Sequence, residues 1–150
     1  MFKLLLGLHL LFAIFAIGPL VHAATTAGRG ARNGDAAATA ASARMLKIYS
    51  YVSVLVVIAG MALMSVDSPF QKGQKVGEIS DLWIWLSLVL WAASIGLVLG
   101  VIVPTLSKVT ASIGKQQSVG TLTGRLAAAG GVVGVLFAVI VFLMVYRPGG

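Results

Sequence analysis

Residues 82–107 read LWIWLSLVLWAASIGLVLGVIVPTLS, 26 residues in a row without a charge, held between Asp81 and Lys108. A hydrocarbon core about 30 Å thick, divided by about 1.5 Å per helical residue, is crossed by about 20 apolar residues. The run is long enough. In lipid every backbone N–H and C=O needs a partner within the segment, so a run of this kind is expected to be a helix. The strict apolar–polar alternation of a barrel strand is absent from it.

Three further uncharged runs flank this one. Leu4 to Gly28 has 25 residues, Ile48 to Val66 has 19, and Leu126 to Tyr146 has 21. The sequence therefore predicts an all-α integral membrane four-helix bundle, one transmembrane domain over 1–150, with helices near 2–23, 46–66, 82–106 and 126–146. Composition agrees. Hydrophobic residues make up 59% and charged residues 10%, whereas a soluble domain carries about a quarter charged residues. The first run also has Val21-His22-Ala23 at its end, which resembles a signal-peptide cleavage site. Its apolar stretch exceeds the usual signal core of about 7–15 residues, so it is expected to remain as a membrane helix.

Charge is placed at the connections. The net charge of +7 would suggest nucleic acid in a soluble protein. Here no basic helix with interleaved aromatics supports that reading, and no nucleic-acid partner is expected. Arg29, Arg32, Arg44, Lys47, Lys108, Lys115 and Arg125 lie around the first and third connections. Lys3, Lys72, Lys75 and Arg147 lie at the opposite end, with Asp67, Glu78 and Asp81. Cytoplasmic loops carry the excess of Lys and Arg. This predicts cytoplasmic first and third connections (24–45 and 107–124) and both termini outside, in a bacterial plasma membrane.

Local signals mark the boundaries. Asp35 begins a helix-forming stretch, DAAATAASAR, expected to extend the second helix beyond the bilayer. Tyr49 and Tyr51, then Trp83 and Trp85, are placed as interface anchors; Trp91 lies deeper and is expected to pack between helices. Ser68-Pro69, Gly73 and Gly77 break the second connection, and Pro148-Gly149-Gly150 ends the last helix. Gly18-Pro19 and Val103-Pro104 each precede a connection rich in small residues that closes on an arginine, Arg44 or Arg125. That recurrence reads either as a duplicated helical hairpin or as the ordinary occurrence of proline near helix ends.

Two stripes of small residues recur every four positions: Ala92, Gly96 and Gly100 in the third helix, and Gly130, Gly134 and Ala138 in the fourth. Such spacing lines one helix face and lets backbones approach closely in lipid. The third and fourth helices are expected to pack through these faces.

Chemistry is sparse. His9 is the one clear ionisable residue inside a run, and is the candidate intramembrane polar site; it reads as a packing histidine or as a proton or quinone contact. His22 is 13 residues further along the same helix, about 20 Å away, so the pair cannot ligate one haem iron. With no cysteine, disulfides, thiolate zinc and iron–sulfur clusters are excluded within the chain. No HExxH, GxSxG, P-loop or carboxylate pair occurs, so no catalytic residue, cofactor or metal is expected. Ser, Thr and Gln occur in the connections, without a base placed to activate them.

Leu8-His9-Leu10-Leu11 followed by Ala16-Ile17-Gly18-Pro19-Leu20-Val21 resembles the opening of a bacterial family of small four-helix integral membrane proteins of unknown function. The shared features are a histidine early in the first helix and a Gly-Pro near its end. The resemblance implies the four-helix layout and transfers no functional residue. In size and basic, helical character the chain also resembles accessory subunits of the actinobacterial cytochrome bcc–aa3 respiratory supercomplex. The expected function is a non-catalytic accessory or structural subunit of a larger membrane complex, in contact with lipid and other integral membrane subunits. A small dimeric transporter or exporter is the alternative.

Overall fold

The computed structural model describes residues 1–67 and 75–148. Its described residues form four helices long and apolar enough to cross a membrane: α1 (Phe2–Arg32), α2 (Ala36–Met64), α3 (Leu82–Gly114) and α4 (Gly120–Tyr146). The all-α four-helix bundle expected from the uncharged runs is present. Ser68, Pro69, Lys72, Gly73, Gly149 and Gly150 lie outside the described residues.

The helices are longer than the uncharged runs. At 27 to 33 residues each, they extend about 40–50 Å. The first and third connections, expected to span 24–45 and 107–124, shrink to short turns. Asn33, Gly34 and Asp35 join α1 to α2. Gly34 sits at φ +65°, donates to Ala31 O, and is followed by Asp35 N donating to Gly30 O. These two bonds make a Schellman stop, which needs a left-handed residue at Gly34. Asp35 then caps the next helix, its side chain accepting from Ala38 N at 2.9 Å, as its position at the head of DAAATAASAR suggests. The same stop closes α3. Gln116 N donates to Ile113 O and Gln117 N to Ser112 O, with Gln116 forced to φ +57°.

The two prolines do not end their helices. A π-helical turn, Ala13–Ile17, precedes Gly18-Pro19 in α1, and another, Val98–Ile102, precedes Val103-Pro104 in α3. Proline lacks the N–H that would bond four residues back and its ring crowds that carbonyl. A wider turn relieves the crowding and lets the helix continue. In both helices the proline falls two residues after the π turn.

The two halves of each proline-containing helix pack on different neighbours. Before its π turn, α1 lies along α2; beyond it, Gly18–Arg32 lies against α4 as well as α2. The first part of α3, Leu82–Leu97, lies along α4, whereas Val103–Gly114 lies mainly against α2. Each hairpin is thus pinned to the other by the part of its first helix that follows the proline. The main core forms in that half, from Leu20, Ala24, Leu46, Val98, Ile102, Leu106, Val109, Leu126 and Val133. It is the basic end of the bundle.

At the opposite end Trp83 is buried at 8% exposure while Trp85 stays 55% exposed. Trp83 packs into the bundle, whereas Trp85 faces outward from it. The Arg147 guanidinium covers the Trp83 ring, 5.5 Å from its centroid, and reaches Val76 O at 3.4 Å. Arg147, at φ +46°, is the residue on which α4 stops, just before Pro148.

Candidate functional site

His9 is the one ionisable side chain buried among the described residues. Its Nδ1 donates to Val56 O at 3.1 Å, joining α1 to α2. The ring has room because Gly60 lacks a side chain: a Cβ there would lie 3.1 Å from His9 Cε1 and 3.4 Å from Nδ1. Val56 and Gly60 are one turn apart on α2, so a carbonyl and a notch face the imidazole together. His22, by contrast, is on the exposed side of α1, where its carbonyl accepts from Thr26 Oγ1 at 2.6 Å.

Other polar groups inside the bundle also tie helices together. Trp91 Nε1 donates to Ser53 Oγ at 3.1 Å, and Ser53 donates to Ser50 O at 2.7 Å. This places Trp91 between α3 and α2, as expected. Thr39 and Thr110 share a hydroxyl–hydroxyl bond of 2.8 Å nearer the basic end. Ser87 and Ser94 are buried too, each donating to the carbonyl one turn back. Serine and threonine are thus not confined to the connections: Thr39, Ser50, Ser53, Ser87, Ser94 and Thr105 are buried in the helices, Thr39 in a segment expected as a connection and the other five within the expected helices 46–66 and 82–106. Ser50 Oγ alone is buried without a partner among the described residues.

The small-residue stripes do not meet each other. Ala92, Gly96 and Gly100 are exposed, and a Cβ on Gly96 or Gly100 would meet nothing within 4 Å. On α4, Gly130 is buried, Gly134 is half-buried and Ala138 is exposed. Gly130 packs on α1, not α3. A Cβ there would collide with the Ala24 carbonyl oxygen, and would lie 2.9 Å from the Ala24 carbonyl carbon and 3.2 Å from Thr25 Cα. One at Gly134 would touch Thr25 Cγ2 at 3.4 Å. Close backbone approach is present, as the four-residue spacing implied. The partner is the part of α1 beyond the proline, which the expectation of a helix ending near Ala23 had hidden.

These arrangements define a polytopic α-helical bundle with membrane-spanning dimensions, whose buried polar side chains join helix to helix. Among the described residues no three His, Asp or Glu side chains converge. No protein family, curated protein or solved structure matches the chain.

Proposed function

We propose that this protein is a non-catalytic accessory subunit of a larger complex in a bacterial plasma membrane. One observation carries the reading: the one buried ionisable side chain, His9, is committed to packing, with its Nδ1 on Val56 O and its ring in the Gly60 notch. Intramembrane ionisable residues mark coupling sites when they face a pathway or a charged partner. His9 instead serves a helix–helix joint. The face bearing Ala92, Gly96 and Gly100 remains open to the close approach of another transmembrane helix.

In this reading the short turns at Asn33–Asp35 and Lys115–Val119 are cytoplasmic and both chain ends are outside. The support is the excess of arginine and lysine at the first and third connections. The resemblance to respiratory accessory subunits makes a cytochrome complex the first partner to test. A small dimeric transporter or exporter is the second reading, favoured by the recurrence of a π turn and proline at matching places in α1 and α3.

The experiment places a photo-crosslinking residue at Gly96 and, as a control, at Phe142, which is 62% exposed on α4. The protein is then extracted in mild detergent, with mass spectrometry and a haem absorbance spectrum of the co-purifying material. One integral membrane protein trapped repeatedly from position 96 and not from 142 is expected. Recovery only as a free monomer contradicts the proposal. Self-crosslinking with substrate flux in proteoliposomes, lost in His9→Ala, supports the transporter instead.

A further inference from the structure

At the basic end, Ala40, Ala43, Arg44 and Lys47 of α2 and Ser107 and Thr110 of α3 line an open groove of about 360 Å³. Its lining includes two cations and no carboxylate. Arg44 and Lys47 are three residues apart and so share a face of α2. Neither is ion-paired or hydrogen-bonded through its side chain among the described residues. Ser107 Oγ donates to Val103 O at 3.1 Å and Thr110 Oγ1 to Leu106 O at 2.9 Å. Both hydroxyls are therefore already engaged, Thr110 also with Thr39 of α2 at 2.8 Å, and recognition falls to the two cations.

The groove stands where a lipid headgroup would stand. Lys47 is the last charged residue before the uncharged run of α2, which begins at Ile48. On the same side of α2, continuing into that run at spacings of three and four, come Ile48, Tyr51, Leu55 and Ile58, exposed at 50%, 70%, 45% and 56%. A pair of unpaired cations at the edge of the span, continued by a bare apolar ribbon, matches a phosphate and the acyl chains below it. Basic pockets between transmembrane helices hold anionic headgroups in this way, with about 1 kcal/mol from each Lys or Arg near the surface.

We infer that the groove between α2 and α3 binds the phosphate of an anionic glycerophospholipid, held by Arg44 and Lys47, with its chains on Ile48, Tyr51 and Leu55. The inference requires that the helices span a bilayer and does not depend on the accessory-subunit reading.

The full-length protein is reconstituted in nanodiscs of phosphatidylcholine with spin-labelled phosphatidylglycerol or spin-labelled phosphatidylcholine. The motionally restricted fraction of each label gives the selectivity for the anionic headgroup. Arg44→Gln and Lys47→Gln should each lower that selectivity about fivefold, the factor equivalent to about 1 kcal/mol. The double variant should bring it to the level of phosphatidylcholine. Lys115→Gln, at the same end but outside the groove, should leave it unchanged, and millimolar inorganic phosphate should not displace the lipid. Circular dichroism of each variant confirms that the helices persist. Unchanged selectivity in the folded double variant overturns the inference. So does an equal loss in Lys115→Gln, which assigns the effect to bulk charge, or displacement by inorganic phosphate, which assigns the groove to a free anion.

Discussion

Gly130→Ala is the smallest change that tests how the bundle is held. The added methyl would collide with the Ala24 carbonyl oxygen and stand 2.9 Å from its carbon. Both are backbone atoms of α1, so no rotamer change relieves the contact; α1 and α4 must move apart. In lipid there is little hydrophobic push between helices, and stability rests on close packing. Overpacking of a tight contact costs about 1–3 kcal/mol, against which replacing glycine by alanine in a helix returns about 0.5–1 kcal/mol. The contact with backbone on both sides puts the strain at the upper end. The expected net loss is therefore about 1–2 kcal/mol. Gly131→Ala provides the control. A Cβ at Gly131 meets nothing within 4 Å, so only the helix gain remains, and the variant should be neutral or more stable by up to about 1 kcal/mol. Denaturation in mixed micelles, followed by helical circular dichroism, measures both. Ala24→Gly should not rescue Gly130→Ala, because the colliding atoms belong to the main chain. Gly130→Ala as stable as the parent, or Gly131→Ala destabilised more than it, would refute the reasoning.

Other substitutions separate the remaining features. Gly60→Ala places a methyl 3.1 Å from His9 Cε1 and should destabilise by about 1 kcal/mol, whereas in a His9→Ala background it should be neutral or favourable; a double-mutant cycle of unfolding energies reads the coupling. Gln116→Gly removes a non-glycine residue from φ +57° and should raise stability by about 1 kcal/mol, while Gly34→Ala at φ +65° should lower it by a similar amount, both seen in denaturation midpoints. Ser50→Ala deletes a buried hydroxyl without a partner and should be neutral or stabilising by up to about 1 kcal/mol in the same assay, while Trp91→Phe, which breaks the bond to Ser53, should cost about 1 kcal/mol.

The number of helices and their approximate places were legible because charge density alone decides where a chain can cross lipid. Asp35 as a helix start was legible as well, since its side chain does what aspartate does at that position. The helix ends were not. Pro19 and Pro104 lie near the ends of helices expected to stop at about 23 and 106, but a π turn precedes each proline and the helices run on to Arg32 and Gly114. Once α1 is allowed to run to Arg32, the glycines of α4 acquire a partner that a helix ending near Ala23 could not supply. Asn33-Gly34-Asp35 is a tight-turn signal, but it stands inside a stretch rich in small residues that reads as one long connection. Reading it correctly also finds the histidine notch: His9 and Gly60 are equidistant from the Gly34–Asp35 peptide bond, so an antiparallel hairpin turning there brings them level. Ser53 and Thr110 gave no comparable signal. Serine and threonine are common throughout membrane helices, and only the three-dimensional register shows which ones meet a tryptophan or another hydroxyl.

The chain has no cysteine, so an introduced pair reports one distance without background. Thr25→Cys with Gly134→Cys, tested by mild oxidation in membranes, bears most directly on the claim that the post-proline half of α1 grips α4, since a Cβ at Gly134 lies 3.4 Å from Thr25 Cγ2. Rapid intramolecular disulfide formation in this pair, with none in Gly96→Cys paired with Gly134→Cys, is the predicted result. Efficient closure of the 96–134 pair and failure of the 25–134 pair would contradict it, returning the bundle to one in which α3 and α4 pack stripe on stripe.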